Sequence, residues 1–286
     1  DSRTPVYFLA LSAGLNIVLD LALILLFDLG VAGAAIATVA SSFVGGVVPL
    51  VYFLLPNKTP LRLTGTRFEG RVLAQTCSNG SSEMMGNLST SLVSILYNFQ
   101  LMRLIGEDGV AAFGVIMYVN FLFIGVFMGY SIGAGPVVSY HYGAGNREEL
   151  RSLLRKSLRL MLAGCAGLTA AAIALAEPLS RVFVGYDGSL LALTARGFRL
   201  YSLSFLAMGF NIFGSAFFTA LSNGVISAAI AFLRTLLFQT AAIFVLPLFL
   251  GLDGIWLAVT AAELLTLLIT ALFLFTQQTR YGYGAA

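Results

Sequence analysis

Charged residues are scarce in this sequence. Aspartate, glutamate, lysine and arginine make up 10% of the 286 residues, while hydrophobic residues make up 58%. Soluble domains carry roughly 25% charged residues. Because so few charges cannot cover a globule, most of the outer surface must face something other than water. The composition therefore excludes a water-soluble enzyme and indicates a lipid bilayer as the surrounding medium.

Cysteine and histidine are equally sparse. Cys77 and Cys165 lie far apart without CxxC spacing and are predicted to be buried thiols. The single histidine, His141, is predicted to lie in a loop, so a His/Cys metal cluster cannot be built. We expect no metal site and no cofactor, only a transported sodium ion or proton. The basic residues behind the net charge of +3 follow the apolar segments, which argues against nucleic acid as a partner.

Long apolar runs fill most of the chain. About 20 apolar residues in a helix cross a hydrocarbon core of about 30 Å, and eight such runs are present. They predict an all-α, polytopic membrane protein with eight transmembrane helices. The predicted spans are 5–26, 30–55, 80–104, 109–138, 153–176, 200–221, 225–250 and 254–275.

Basic residues concentrate in two of the connections between these spans. They are Lys58, Arg62, Arg67 and Arg71 between the second and third spans, and Arg147, Arg151, Arg155, Lys156 and Arg159 between the fourth and fifth. Lysine and arginine favour the cytoplasmic side of a membrane. We therefore predict that both connections and both chain ends are cytoplasmic, in the plasma (inner) membrane of the cell.

Polar residues inside three of the spans are sorted onto one helix face. At about 100° per residue, those of the third span share an arc of about 100°. The three stripes are Glu83, Asn87, Thr90, Ser91, Ser94 and Asn98; Ser204, Asn211, Ser215 and Thr219; and Ser12, Asn16 and Asp20. Because polar groups in lipid are costly, we predict that the stripes face one shared cleft. The alternative is that they join helices through interhelical hydrogen bonds.

Arg234 and Glu263 are two charges near the middle of the last two spans, roughly 15 Å into each helix. Antiparallel neighbouring helices would bring them together. One interpretation is a structural ion pair that neutralises two otherwise prohibitive charges. The other is a relay for a proton or a cation.

Glu83 has no basic residue on its stripe. Such a carboxylate would take up a proton or hold a cation, for which Asn87 and Thr90 could supply oxygen ligands. Alternatively, Glu83 reaches water or caps its helix. Asp20 is a further candidate for ion coupling.

Candidate residues for the substrate cleft come from the stripes and from an aromatic segment. Tyr118, Asn120 and the phenylalanines after them could line a site for flat organic cations, although aromatic residues in membrane helices more often serve packing. The candidates are Asn16, Ser94, Asn98, Tyr118, Asn120, Asn211 and Ser215.

Four segments resemble a transporter family. GYSIGAGPVVSYHYGAGNREELR at 129–151 leads from a span into a basic helix start. The others are LNIVLDLALILLFDLGVAGAAIAT at 15–38, STSLVSILYNFQLMRLIGEDGVAAFGVIMYV at 89–119 and FLRTLLFQTAAIFVLPLFLGLDGIW at 232–256. In this order they are similar to the multidrug and toxic compound extrusion (MATE) family.

An internal repeat accompanies the resemblance. Gly30, Gly33 and Ala37 align with Gly251, Gly254 and Ala258 at a constant offset of 221 residues. Transporters are often built from repeated halves, and MATE proteins have two lobes of six helices. The resemblance implies that residues 1–56 are the last two helices of an N-terminal lobe, 57–79 a cytoplasmic linker and 80–286 a six-helix C-terminal lobe. Four further helices of the same protein are expected before Asp1.

The resemblance implies export of organic, often cationic compounds by alternating access, driven by a sodium or proton gradient. The partners would be the lipid bilayer and a small organic substrate. Some branches of the family carry a glutamate at a position near Thr90, whereas this chain has Glu83, and an acid in the sixth span, where it has Asn211. The rival functions are a flippase for lipid-linked sugars and a membrane assembly subunit that does not transport.

Overall fold

The computed structural model describes residues 3–55 and 68–283, and every regular element in those two ranges is a helix. The all-α prediction is confirmed for this part of the chain. The helices are α1 (Arg3–Leu21), α2 (Gly30–Leu54), α3 (Gly70–Leu104), α4 (Glu107–Gly143), α5 (Arg147–Val184), α6 (Gly188–Ser202), α7 (Phe205–Ala220), α8 (Gly224–Phe232), α9 (Thr240–Leu250), α10 (Leu252–Thr276) and α11 (Gln278–Tyr281). Two π-helical stretches, Ala22–Leu26 and Leu233–Gln239, continue α1 and join α8 to α9.

Six of the described helical segments are long and apolar enough to cross a membrane. A seventh span results if the bent pair of α6 and α7 counts as one. The predicted number of eight is therefore not confirmed. The missing span is α3, which has 35 residues but carries too many polar side chains in its first half. The six segments are Thr4–Leu26, Gly30–Leu54, Glu107–Gly143, Arg147–Val184, Gly224–Leu250 and Leu252–Thr276.

The predicted sixth span differs most from the structure. Instead of one straight helix over 200–221, α6 and α7 meet at a bend of 51°. At the bend, the N–H groups of Leu203 and Ser204 donate to the carbonyls three residues earlier, a tighter turn than an α-helix. The start of α6 is capped by Asp187. Hydrogen bonds from the Ser189 hydroxyl and from the backbone N–H groups of Leu190 and Ser189 hold the pKa of Asp187 below its usual value.

The chain divides into two compact units, Asp1–Glu69 and Gly70–Ala286. The first contains the antiparallel hairpin of α1 and α2. Small residues at four-residue spacing, Gly33, Ala37 and Ser41, are buried along α2. The Ser12 hydroxyl of α1 donates to the Ser41 carbonyl at 2.8 Å. Most of the predicted linker, with Lys58, Arg62 and Arg67, lies outside the described residues, while 70–79 form the first turns of α3.

The second unit ends in a hairpin that repeats the backbone of the first. Gly30 and Gly251, which align at the offset of 221, have φ values of +51° and +55°. The residues aligned with Gly33, Ala37 and Ser41 are Gly254, Ala258 and Ala262, and all three are buried in α10. The repeat predicted from the sequence is therefore matched by turn geometry and by the pattern of burial.

Helix α7 lies at the centre of the second unit, between α4, α5 and α10. A Cβ atom at Gly209 would lie 2.7 Å from Cys165 Sγ of α5, and one at Gly214 would collide with Thr270 of α10. These glycines let the neighbouring helices approach closely. Cys165 is buried as predicted, whereas Cys77 is exposed, because its side of α3 packs against nothing in the described chain. His141 belongs to the last turn of α4 and not to a loop.

Candidate functional site

The two charges within the last spans form one ion pair. Arg234 Nε donates to Glu263 Oε1 at 2.7 Å. The Glu263 side chain is 3% exposed and that of Arg234 is 22% exposed. The contact predicted from their similar depth in antiparallel helices is therefore confirmed. Both interpretations, a structural ion pair and an ion relay, place Arg234 and Glu263 in contact.

Asn211 of α7 forms a hydrogen bond to the second oxygen of the same carboxylate. Its Nδ2 donates to Glu263 Oε2 at 2.7 Å and to the Glu263 carbonyl at 2.8 Å. The Thr270 hydroxyl donates to Asn211 Oδ1 at 2.9 Å. Asn211 and Thr270 are both buried, with at most 1% of their surface exposed. We call Arg234, Glu263, Asn211 and Thr270 the buried polar network.

The network is electrically balanced, and Arg234 is its most exposed member. The guanidinium of Arg234 compensates the charge of the Glu263 carboxylate. Without a partner, a charge in this apolar core would cost on the order of several kcal/mol. Each carboxylate oxygen of Glu263 accepts one hydrogen bond from within the network, Oε1 from Arg234 and Oε2 from Asn211. Arg234 stands in the π-helical stretch Leu233–Gln239, a local widening that is frequent at functional sites.

Two further members of the stripe on the predicted sixth span, Ser215 and Thr219, join helices. The Ser215 and Ser227 hydroxyls are 2.8 Å apart, and those of Thr219 and Ser227 are 2.7 Å apart. These bonds connect α7 to α8. For Ser215 the structure therefore agrees with the alternative of interhelical hydrogen bonding, and within the described chain this cluster is not connected to Glu263 by a hydrogen bond.

The stripe on α3 has a different environment. Glu83, Asn87 and Thr90 are exposed, and Ser94 and Asn98 are half-buried. The Asn87 amide donates to the Glu83 carbonyl at 3.0 Å, and the Thr90 hydroxyl donates to the Gly86 carbonyl at 2.8 Å. These polar groups bond to their own helix, and in the described part of the chain no hydrogen bond links them to the buried polar network.

The remaining candidates belong to α1 and α4. Asn16 and Asp20 are half-buried in the first unit, and Oδ1 of Asp20 has no hydrogen-bond partner among the described residues. Tyr118 is 74% exposed and stacks on Phe183 at 6.4 Å. Asn120, two residues later, is buried in the core, and its Oδ1 has no partner within the described ranges. The structure thus turns Tyr118 and Asn120 to opposite sides of α4.

Sequence reasoning missed Thr270 and Ser227. The position of Thr270 could have been predicted, because Glu263, Thr266 and Thr270 are spaced by three and four residues and so share one face of α10. Ser227 has no such signal, since it is a single serine in an apolar helix. In residues 3–55 and 68–283 there is no group of three His, Cys, Asp or Glu side chains that could hold a metal ion.

Together, the long apolar helices define a polytopic α-helical membrane protein. A family model described as MatE matches residues 84–245, which is more than half of the chain. The chain belongs to the MatE family. This confirms the family resemblance inferred from the four sequence segments.

Relatives and solved structures match most of this chain but only part of their own. The multidrug export protein MepA of Staphylococcus saprophyticus is 22% identical over 271 residues, which are 94% of this chain and 59% of that protein. The probable multidrug resistance protein NorM of Thermotoga maritima is 27% identical over 194 residues, covering 64% of this chain and 40% of that protein. A MOP superfamily transporter from Pyrococcus furiosus shares the fold with a TM-score of 0.90 at 22% identity, over 96% of this chain and 62% of that one.

Proposed function

We propose that this protein exports organic, drug-like compounds across a membrane by alternating access, and that a sodium ion or a proton moving inward drives the export. The observation that carries the proposal is membership of the MatE family, supported by relatives named as multidrug export and multidrug resistance proteins. The chain spans 59% and 40% of those two relatives. The proposed activity is therefore that of the whole protein, including any sequence that flanks this chain.

Glu263 is the first candidate for the coupling carboxylate. It is buried, its charge is compensated by a single arginine, and its oxygens are held by Arg234 and Asn211. Protonation or sodium binding at this carboxylate would release Arg234 and so change which arrangement of the helices is favoured, as any ligand does that binds one state better. Glu83, exposed on α3, is the second candidate.

The test is gradient-driven efflux of a fluorescent organic cation from vesicles that contain the protein. We expect efflux when a sodium or proton gradient is imposed and none without one. A protein that inserts correctly but never responds to either gradient would overturn the proposed function. The next measurement would then be the transfer of a lipid-linked sugar from one leaflet to the other in the same vesicles.

Isosteric variants separate coupling from stability. Glu263→Gln should remove the dependence on the gradient, whereas Glu177→Gln, at an exposed glutamate paired with Arg181, should leave it intact. Glu83→Gln, measured across a pH series, shows whether the second candidate contributes. If the double variant Arg234→Ala and Glu263→Ala inserts well and still transports in response to the gradient, the ion pair is structural only.

A further inference from the structure

Three arginines on α5 form an unpaired basic row. Arg151, Arg155 and Arg159 are four residues apart and therefore share a helix face within an arc of about 80°. None of them forms an ion pair with a described residue, although Glu148 and Glu149 precede them on the same helix. Three positive charges without a counter-ion leave their donors available to a ligand.

Arginines near the other end of α5 are treated differently. Arg181 and Arg199 both contact Glu177, at 2.9 and 3.5 Å, and Arg196 pairs with Asp253. The fold thus supplies carboxylates to these arginines but not to the basic row. The difference leaves the donors of the basic row available to a partner from outside the described chain.

A groove of about 480 Å³ runs along the basic row. Its volume lies within the range of small-ligand sites, about 300–1,000 Å³. Besides the three arginines, its walls are the leucines Leu154, Leu158 and Leu162, Phe210 of α7 and Tyr283 after α11. The lining therefore combines basic and apolar side chains, and we call this cavity the basic groove.

The basic groove lies where α5 enters its apolar part. The residues from Leu160 to Ala176 include no charged side chain, and their 17 positions correspond to about 25 Å of helix. Arg159 directly precedes this apolar stretch, and Leu162 lies within it. The arginines are therefore at headgroup depth, while the leucines and Phe210 extend toward the acyl chains.

We propose that the basic groove binds an anionic phospholipid, with the phosphate held by Arg151, Arg155 and Arg159 and the acyl chains laid along Leu158, Leu162 and Phe210. Arginine forks match phosphate oxygens in two-point contacts. Basic pockets between membrane helices are known to suit anionic headgroups. A free phosphate ion would use the arginines alone and leave the apolar wall without a partner. The proposal does not depend on the transport function.

The experiment is native mass spectrometry of the protein in detergent micelles, with phosphatidylglycerol or phosphatidylcholine added at equal concentrations. The wild type should retain phosphatidylglycerol selectively, and excess inorganic phosphate should not displace it. In the triple variant R151Q, R155Q and R159Q, affinity for phosphatidylglycerol should fall by about 100-fold, since each basic residue near a membrane surface contributes about fivefold. The variant R151K, R155K and R159K should keep part of the affinity, because charge remains while the fork geometry is lost.

The matched control removes three other basic residues. Arg103, Arg181 and Arg196 are exposed and do not line the groove, so R103Q, R181Q and R196Q should change the affinity by less than about twofold. Leu162→Ser keeps all charges and should still weaken lipid retention several-fold. The proposal is overturned if the control loses as much affinity as the triple variant, if both lipids bind equally, or if phosphate displaces the lipid. If the triple variant does not fold, Arg155→Gln alone should show a loss of about fivefold, and an unchanged affinity would be equally decisive against the groove.

Discussion

The first and last hairpins of the chain have the same backbone plan and different chemistry between their helices. In both, a glycine with positive φ precedes the second helix, and a glycine, then small residues, are buried along it. At the offset of 221, however, Ala13 and Ser42 of the first hairpin align with Arg234 and Glu263 of the last. The small-residue positions are shared by both hairpins, whereas the positions of the ion pair carry charges only in the last one.

The comparison separates two kinds of contact. Small residues at four-residue spacing let two helices approach, and this requirement is geometric. A buried ion pair is not needed for that approach, because the first hairpin has alanine and serine at the aligned positions 13 and 42 and its helices are joined by bonds such as that from the Ser12 hydroxyl to the Ser41 carbonyl. The pair in the last hairpin is therefore an addition to a backbone arrangement that packs without it in the first.

The largest effect is expected for Glu263→Ala. Removing the carboxylate leaves the guanidinium of Arg234 unpaired in the apolar core, and the free energy of unfolding should fall by about 3–5 kcal/mol. Ser42→Ala, at the aligned and exposed position of the first hairpin, should change it by no more than about 0.5 kcal/mol. Unfolding in mixed detergent micelles measures both. Equal, small changes would mean that the pair is solvated and that the two hairpins do not differ energetically.

A double substitution extends this prediction. Replacing both charges by apolar residues, Arg234→Met with Glu263→Leu, should cost less than Glu263→Ala alone, because no unpaired charge remains. If the double variant is as unstable as the single one, the hydrogen bonds of Asn211 to Glu263 carry more of the stability than the ion pair does.

The second prediction concerns the buried glycines. A Cβ at Gly254 would lie 2.5 Å from the backbone C and O atoms of Leu246, whereas one at Gly33 would lie 3.1 Å from those of Leu23. Gly254→Ala should therefore destabilise the protein by about 1–3 kcal/mol, the usual cost of overpacking. At Gly33 the smaller displacement is opposed by the better helix propensity of alanine, about 1 kcal/mol, so the net change should be close to zero. The reverse order in thermal unfolding would contradict the difference in helix spacing.

The third prediction concerns the turns that the hairpins share. Gly30 and Gly251 have φ values of +51° and +55°, where an L side chain is strained by on the order of 1–3 kcal/mol. Gly30→Ala and Gly251→Ala should thus destabilise by similar amounts. Gly46→Ala serves as the control, because a Cβ there meets no atom within 4 Å. Unequal losses at the two turns would break the correspondence between the hairpins.

Much of this fold was predictable because lipid imposes one strong rule. Runs of about 20 apolar residues must form helices to satisfy their backbone groups, and two charges at equal depth in neighbouring spans must meet. This reasoning located the Arg234–Glu263 pair. It failed for the bend between α6 and α7, since the tight turn at Leu203 and Ser204 depends on packing around α7 and has no glycine or proline to mark it.

The candidate site was only half predictable for the same reason. Helical periodicity tells which residues share a face but not what that face contacts. Asn211 and Glu83 both belonged to polar stripes, yet Asn211 is fully buried against α10 and Glu83 is exposed on α3. The direction in which each stripe points is set by the order of the helices in space, which a single sequence does not encode locally.

The smallest expected effect concerns the hydrogen bond between Ser12 of α1 and Ser41 of α2 in the first hairpin. Ser12→Ala removes the 2.8 Å hydrogen bond to the Ser41 carbonyl and should lower the free energy of unfolding by about 0.5–1.5 kcal/mol. Thr38→Ala is the matched control, because its hydroxyl bonds only to Ala34 of the same helix and its loss should matter by no more than about 0.5 kcal/mol. If Ser12→Ala destabilises the protein no more than the control does, the packing of small residues holds this hairpin together. The two hairpins would then differ more in their polar contacts than this hydrogen bond suggests.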